Sequence, residues 1–344
     1  MILIRRILLF LTAVGTVFAA ASCTLSEDVA LVQVSGRTMG TTYRVTYAAT
    51  AASPGEVQHA VDSLLGEINQ SLSTYIDTSL ISQINASADT SAWHPIDAHF
   101  EAVFRRSRFV YEDTRGAFNP AVGPLVDAWG FGPAGAEAMP ESTTIESLLR
   151  VVDFDLFDER DSPPAVQKSS PGAQLDFNAI AKGYGVDAVG KLLESRGFES
   201  YLVEIGGEVR TRGDHPSGRA WSVGIERPVE DNSGRVAQIV VLLNDAALAT
   251  SGNYRNYTIR DGRKYAHILN PETGYPEESP LLSASVLTED CMTADAYATA
   301  LMVMGLEKGM DFVESRDGLE AYFISDGGEG RYLERRSTGF PTPE

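Results

Sequence analysis

"LDFNAIAKGYGVD" occupies residues 175–187, and its reading decides how the rest of the chain is organised. Two apolar residues flank Asp176, Asn178 follows, and a small-residue turn leads into Lys182, Gly183 and Tyr184 before the stretch ends on Asp187. The pattern predicts a strand-to-helix junction, with a helix running on through "GYGVDAVGKLLESRG" to a glycine cap at Gly197. Gly183 and Gly185 flank a tyrosine where a helix core favours alanine or leucine, so both predict close approach of a neighbouring backbone. Asp176, Asn178 and Lys182 could read a polar ring edge and grip phosphates near a helix N-terminus. Equally, Asn178 could cap the helix and Lys182 could be solvated. Spacing alone leaves the two readings even.

Upstream of this junction, 32–49 alternates β-branched and aromatic residues around a glycine-containing interruption, predicting two strands joined by a turn. "SPGEVQHAVDSLLGEINQSLSTY" opens with a Ser-Pro helix entry and places Val57, Val61, Leu64, Leu65 and Ile68 at helical spacing. A second helix fits 97–116, ending at Gly116. Residues 117–132, rich in glycine and proline, predict a loop, and 133–150 a Gly/Ala loop with a short helix. "VVDFDLFD" and "PPAVQKSSPGAQLDF" predict strands separated by Pro-Gly turns. Downstream, strands are predicted at "SYLVEIGGEVRTRG", "WSVGIERP", "AQIVVLLND", "AALATSG", "NYTIRDG", "KYAHILN" and "EAYFISD". A long apolar helix with a break near Gly305 covers "TADAYATALMVMGLEKGMDFVESRDG". No internal repeat is visible. Helices mixed with strands in hairpin-like succession predict an α+β fold with mixed or largely antiparallel sheets.

The N-terminus is of another kind. Arg5 and Arg6 precede a short apolar run, Ile7 to Phe18, and small residues lead up to Cys23. The run is too short to span a bilayer and its flanks are those of a secretory signal. A cysteine directly after the small residues predicts a lipoprotein site, although Ala20 stands where such sites usually carry leucine. The expected organisation is a signal peptide over 1–22, a tether over 23–31 and one domain over 32–344. The net charge of −19 excludes a phosphate-tracking nucleic-acid surface. It also repels free anions, so a phosphate site here needs a cation or aimed backbone N–H groups. Cys291 is the one other cysteine, which leaves no intramolecular disulfide framework and no cysteine cluster for zinc.

Three further stretches carry candidate chemistry. "TADAYAT" (293–299) places Asp295 and Thr299 on one helix face, where a carboxylate and a hydroxyl could give Mg²⁺ two oxygen ligands. Spacing alone favours the plainer reading, an acid at a helix N-terminus and a packed threonine. "YAHILNPETGYP" (265–276) sets His267 at a strand end before an Asn-Pro turn, a position more often structural than catalytic. "EIGGEV" (204–209) reads as a phosphate-cradling backbone or as a bulge in a strand.

Nine stretches in order carry more weight than any one of them. They are "MGTTYRV", "LSTYIDTSLISQIN", "GAFNPAVGPLVDAWGFG", "LDFNAIAKGYGVD", "LVEIGGEVRTRG", "WSVGIERP", "ATSGNYRNY", "HILNPETGYP" and "MTADAYATALMVMG". From 34 to about 325 the chain resembles the FAD:protein FMN transferases, the ApbE-type flavin transferases. The resemblance implies two lobes with the FAD and metal site between them. It also implies a periplasmic, membrane-anchored lipoprotein that uses FAD and Mg²⁺. Such an enzyme transfers FMN to a threonine or serine hydroxyl of a redox-complex subunit, at a motif like Asp-x-x-Ser/Thr-Gly-Ala-Ser/Thr, and releases AMP.

By motif, the resemblance assigns Met39 and Tyr75 to the ends of FAD and Ala117, Phe118 and Asn119 to its flavin side. Asp176 and Lys182 also fall to the cofactor, with His267 and Ile268 near its pyrophosphate. The metal falls to the Ala179 carbonyl and the side chains of Asp295 and Thr299. His267 is the candidate base for the acceptor hydroxyl, with Asp295 the rival. Asn119 stands where many members have aspartate, which should alter a polar contact without abolishing binding. Ala298 stands where some have a second acid, which predicts weaker Mg²⁺ affinity. Two other classes remain open at this level: an FAD pyrophosphatase giving FMN and AMP, and a flavin-binding lipoprotein without turnover.

Overall fold

In a computed structural model, residues 30–133, 135, 138–229, 236–254, 257–260 and 263–342 are described. The signal peptide and Cys23 lie outside them. The first strand, β1 (Leu31–Thr38), pairs with β2 (Thr41–Ala48) across the two-residue turn Met39-Gly40. Both turn residues have positive φ, 48° and 69°, the conformation whose twist matches a tight hairpin. Helix α1 (Pro54–Leu72) starts as its sequence predicts: Ser53 accepts from the Glu56 N–H while the Glu56 carboxylate accepts from the Ser53 N–H, and Pro54 occupies the first turn. Then come α2 (Leu80–Ala86), β3 (His94–Pro95), α3 (Ala98–Asp113), α4 (Gly123–Trp129) and α5 (Ser142–Leu148). Strands β4 (Phe157–Asp161) and β5 (Pro164–Lys168) precede α6 (Ala181–Ser195).

The second half runs through β6 (Tyr201–Ile205), β7 (Glu208–Arg212), β8 (Trp221–Glu226), β9 (Ala237–Leu243), β10 (Ala247–Gly252), β11 (Tyr257–Arg260) and β12 (Arg263–Ala266). It ends in β13 (Leu281–Thr288), α7 (Cys291–Met304), α8 (Leu306–Glu314), β14 (Glu320–Asp326) and β15 (Tyr332–Arg336). Eight strands make the main sheet in the order β1-β2-β6-β7-β10-β13-β14-β15. Every pairing in it is antiparallel.

Period-two alternation gives this sheet two buried faces. Ala247, Ala249 and Phe323 point into the large core that α1, α3, α6 and α7 cover. Leu248, Tyr322 and Ile324 point the other way, onto the β8–β9 hairpin. A third apolar cluster, built on Leu125, Trp129, Ile145 and Leu269, lies beside them. Helix α7 is buried on nearly all sides and rich in alanine, as a helix enclosed between a sheet and other helices should be. Its break at Gly305, with φ 74°, falls where the sequence places it.

Four expectations change. Residues 117–132 are not all loop, because Pro124 enters a seven-residue helix, α4, at its first turn. "SYLVEIGGEVRTRG" is not one strand: Gly206 and Gly207 take positive φ and turn the chain, so that Ile205 opposes Glu208 in a hairpin. The segment is therefore a turn and not a bulge. "VVDFDLFD" begins with a 3₁₀ turn at Phe154–Leu156 before β4 starts. Finally, 173–177 joins no sheet; it is an extended segment, and Asn178 does not cap α6, whose flanking residue is Ile180.

Candidate active site

The extended segment that carries Asp176 is held from both sides. Asn85 both donates to the Leu175 carbonyl and accepts from its N–H, each at 2.8 Å. Lys168, 0% exposed, spends its ammonium on the carbonyls of Asn85, Ala173 and Pro171 at 2.7, 3.1 and 3.3 Å. Three donors meet three backbone acceptors, which is what makes a buried ammonium tolerable. The Asp176 N–H donates to the Pro120 carbonyl at 2.7 Å, tying this segment to 117–121. The Asp176 carboxylate accepts from both the Asn178 N–H and its side-chain amide. Burial pushes Asp176 above the usual carboxylate range, and those two bonds oppose the shift.

Beyond Asp176 the chain enters α6 against α7. A Cβ on Gly183 would lie 2.2 Å from the Cys291 carbonyl oxygen and 2.8 Å from the Met292 Cα, so only glycine permits this crossing. Gly185 meets side chains instead, Met39 and Ile205. The Gly183 N–H lies in the first turn of α6, where the helix ladder offers it no partner, and it donates to Asp295 Oδ2 at 3.0 Å. Among the described residues no backbone N–H donates to the Ala179 carbonyl, which lies just before the helix. Asp187 fastens the same crossing by accepting from the Cys291 and Met292 N–H groups at the start of α7, while Arg210 donates to it at 2.9 Å. Nothing in the sequence pattern marks Asp187 for that task beyond its place at the end of the opening stretch.

Lys182 sits among acids. Its Nζ is 3.4 Å from Glu208 Oε1 and 3.5 Å from Asp295 Oδ1. Asp295 is 4% exposed and Glu208 3%. Burial pushes the Glu208 carboxyl up to about 7, with Lys182 opposing and Asp295 reinforcing the rise. Burial alone would lower Lys182, but Asp295 and Glu208 outweigh it and hold the ammonium above its ordinary value.

These groups line one cavity of about 1350 Å³, larger than a typical drug-sized pocket and roomy enough for a dinucleotide. All the residues singled out by motif within the described chain meet there. Met39 comes from the β1–β2 turn. Tyr75, 58% exposed, comes from the segment after α1 and donates to the Phe131 carbonyl at 3.1 Å. Ala117, Phe118 and Asn119 follow α3, and Asp176, Ala179 and Lys182 lead into α6. His267 and Ile268 follow β12, and Asp295 and Thr299 lie on one face of α7. Met39 holds a left-handed conformation without being glycine, a strain that recurs at ligand sites.

Two departures from the family pattern acquire a physical account. Asn119 donates to the Val152 carbonyl at 3.2 Å and accepts from the Ala121 N–H at 2.8 Å, so it uses both capacities of an amide. An aspartate could not make the first bond. Ala298 is fully buried in the large core and is not part of the cavity lining. The wall carrying His267 is braced by Trp129, whose indole N–H donates to the Gly274 carbonyl at 2.8 Å. Asn270 accepts from the N–H groups of Glu272 and Thr273 and so forms the turn. Sequence reading passed over Glu208, which "EIGGEV" contains but which a lone Gly-Gly does not single out, and Ser251, whose hydroxyl faces Thr299 at 3.5 Å.

The donor set can be tested against a hard cation. No cluster of three His, Cys, Asp or Glu side chains suited to a metal occurs among the described residues. What the expected ligand positions offer is the buried Asp295 carboxylate, the Thr299 hydroxyl four residues on, and the Ala179 carbonyl just before α6, which accepts from no backbone N–H among the described residues. That all-oxygen, low-charge set fits Mg²⁺, which binds through one or two carboxylates and completes its shell with water and phosphate.

Comparison with known proteins agrees with this geometry. The model of the ApbE family matches residues 39–323. A FAD:protein FMN transferase from Vibrio cholerae is 37% identical over 309 residues, 89% of this chain and 90% of that protein. One from Haemophilus influenzae is 32% identical over 326 residues, 93% of each. Among solved structures, the flavin transferase ApbE from Vibrio cholerae superposes with a TM-score of 0.81 at 35% identity, covering 90% of this chain and 98% of that one. The apo form of Pseudomonas stutzeri flavinyl transferase ApbE gives 0.80 at 33% identity, over 90% and 96%. The chain belongs to the ApbE family.

Proposed function

We propose that this protein is an FAD:protein FMN transferase, moving the FMN moiety of FAD onto a serine or threonine hydroxyl of a partner protein and releasing AMP. The observation that carries the reading is the convergence of residues from six separate stretches of chain on one dinucleotide-sized cavity. In this reading Asp176 and Asn119 anchor FAD, and Met39, Tyr75, Ala117, Phe118 and Ile268 shape its bed. The Ala179 carbonyl, Asp295 and Thr299 would hold Mg²⁺, whose chemistry there is to neutralise the pyrophosphate as a Lewis acid.

The chain's own residues supply the rest. Lys182 offers a fixed positive charge beside the pyrophosphate, and the two carboxylates around it keep it protonated. The acceptor hydroxyl attacks the FMN-side phosphorus, the P–O bond to AMP breaks, and AMP departs with the bonding pair. His267, which lines the same cavity, takes the hydroxyl proton in this scheme, since Asp295 would be committed to the metal. Positioning and charge neutralisation carry most of the rate in such transfers. The partner is a redox-complex subunit with an Asp-x-x-Ser/Thr-Gly-Ala-Ser/Thr motif. The enzyme works at a membrane facing the periplasm, held there by a lipid on Cys23.

The test is incubation with FAD, Mg²⁺ and a domain bearing that motif, read by intact mass. A gain of one FMN phosphoester on the acceptor, lost in chelator, is expected. An acceptor of unchanged mass, with FAD bound and intact, would leave only a flavin-binding protein.

A further inference from the structure

The cavity extends past the FAD bed, over the face of the main sheet that the helices leave uncovered. Strands β1, β2 and β6 supply the floor there. Gln33 lies opposite Thr46 and Thr46 opposite Leu202, and the next row toward the Met39-Gly40 and Gly206-Gly207 turns is Arg44 with Glu204. These side chains are exposed or half-buried, while Val34, Val45 and Val203 alternate with them and point into the core. One wall of this groove is strand β8. Val223 and Ile225 bury its inner face in the cluster with Val209 and Leu248, and Trp221 donates to the Arg212 and Gly213 carbonyls at the end of β7. Its one partner among the described strands, β9, lies on the β15 side, where Gln238 donates to Glu334. The second edge of β8 is therefore turned toward β6 and β2, and residues 222–226 line the groove in succession. Alternate residues of an antiparallel pair direct N–H and C=O away from their partner, so this edge is a row of main-chain donors and acceptors that no described strand meets.

We propose that this groove is the docking surface for the acceptor protein, and that the segment carrying the target hydroxyl binds in it as an extended strand added to the free edge of β8. The inference rests on the proposed FMN transfer. Strand addition draws its affinity from main-chain hydrogen bonds and tolerates varied side chains. The six residues of β8 extend about 20 Å, which matches a segment of about the same length. The floor leads straight to the two turns that border the FAD bed, so a chain lying on it ends where the transfer takes place. The charges favour a peptide here over more of the nucleotide. Glu204 and Glu226 line the groove, and the Arg44 guanidinium already faces Glu204 at 3.4 Å, so phosphate is turned away from this end and drawn to Lys182. A neutral backbone meets no such repulsion. The surface is also open: the Arg44 side chain is 56% exposed, and Gln33, Ser222 and Gly224 face solvent.

The test uses the full-length protein loaded with FAD, and an acceptor domain whose target serine or threonine is changed to alanine so that it docks without reacting. Hydrogen exchange of the β8 amides should slow by about tenfold or more on docking, while β15, a free edge of the main sheet, is unchanged. Thr46→Trp and Gln33→Trp each raise bulk from the floor at a side chain that is not buried. Each main-chain bond lost weakens binding by about two- to tenfold, so both variants should raise the acceptor concentration for half-maximal transfer by about tenfold or more. FAD affinity, read by flavin fluorescence, should stay within about twofold of wild type. Unchanged β8 exchange at an acceptor concentration that saturates transfer would overturn the proposal. Folded variants with unaltered acceptor dependence would do the same, and a loss of FAD affinity in them would give the groove to the nucleotide instead. Failure of the transfer reading itself shows separately, as wild-type protein that binds FAD and modifies no acceptor.

Discussion

Substituting alanine at two helical glycines should have opposite effects. Gly66 lies within α1 on its exposed face, and a Cβ there meets nothing within 4 Å. Gly66→Ala should therefore gain the ordinary helix-propensity difference, about 0.8–1 kcal/mol. Gly183 lies in the first turn of α6, and the same Cβ would be placed 2.2 Å from the Cys291 oxygen, 2.7 Å from its carbonyl carbon and 2.8 Å from the Met292 Cα. All three obstacles are backbone, so no rotamer change relieves them. The helices must part by roughly an ångström. That costs about 1–3 kcal/mol as overpacking, and it strains the buried bond from the Gly183 N–H to Asp295, one of a class that contributes about 1.5–3 kcal/mol. Less the propensity gain of about 1 kcal/mol, Gly183→Ala should destabilise by about 1.5–5 kcal/mol. Urea unfolding of both variants with the wild type measures the difference. Because Asp295 moves with α7, Gly183→Ala should also need more Mg²⁺ for transfer. A Gly183→Ala protein as stable as wild type, with the same Mg²⁺ requirement, would refute the account of this crossing.

Other outcomes follow from the same geometry. His267→Ala should bind FAD within about tenfold of wild type while transfer falls by about a hundredfold or more, whereas Asp176→Ala should lose FAD affinity first; fluorescence titration and acceptor mass separate the two. Asp295→Asn keeps an acceptor for the Gly183 N–H but loses the charge, so it should fold, lose most activity and recover part of it at high Mg²⁺. Full wild-type activity in chelator after verified metal removal would contradict this. Cys23→Ser should shift the protein from the membrane to the soluble fraction with unchanged catalysis, and a mature N-terminus at another residue would rule lipidation out. In the protein without metal or FAD, Glu208 is raised from 4.5 to about 7, so the fold prefers its protonated form. The stability this brings is complete below about 4.5 and is lost as pH rises through about 7. The melting temperature of Glu208→Gln relative to wild type should therefore rise from pH 5 to pH 8.

Local signals announced the elements whose cause is local. Ser53, Pro54 and Glu56 mark the start of α1, and Gly305 marks the break between α7 and α8, because caps and φ preferences act over a few residues. The central strand β13 was silent for the opposite reason. It lies between β10 and β14, and its small side chains, with Ser283 and Ser285 buried alongside Ala284 and Val286, show no in–out alternation to read. The Gly206-Gly207 turn looked like an interruption in a strand because the apolar pattern continues on either side of it. At the site, Asp295 and Thr299 could be paired from helical spacing, and nine ordered motifs tied them to His267 and Asp176. What spacing could not show is the bond that the Gly183 N–H makes to Asp295 across the α6–α7 crossing. Nor could it show Glu208 and Asp295 flanking Lys182. Both depend on two distant segments meeting, and neither segment alone carries the information.

The most direct test of FMN transfer is a count of products from one reaction. Wild-type protein, FAD, Mg²⁺ and an acceptor domain with the Asp-x-x-Ser/Thr-Gly-Ala-Ser/Thr motif are mixed. AMP is quantified beside the FMN-bearing acceptor by intact mass. The account predicts one AMP for each acceptor molecule labelled, little AMP when the acceptor is left out, and no labelling when its serine or threonine is changed to alanine. AMP released at the same rate with or without acceptor, and an acceptor of unchanged mass, would show that water takes the place of the protein hydroxyl and would contradict the central claim.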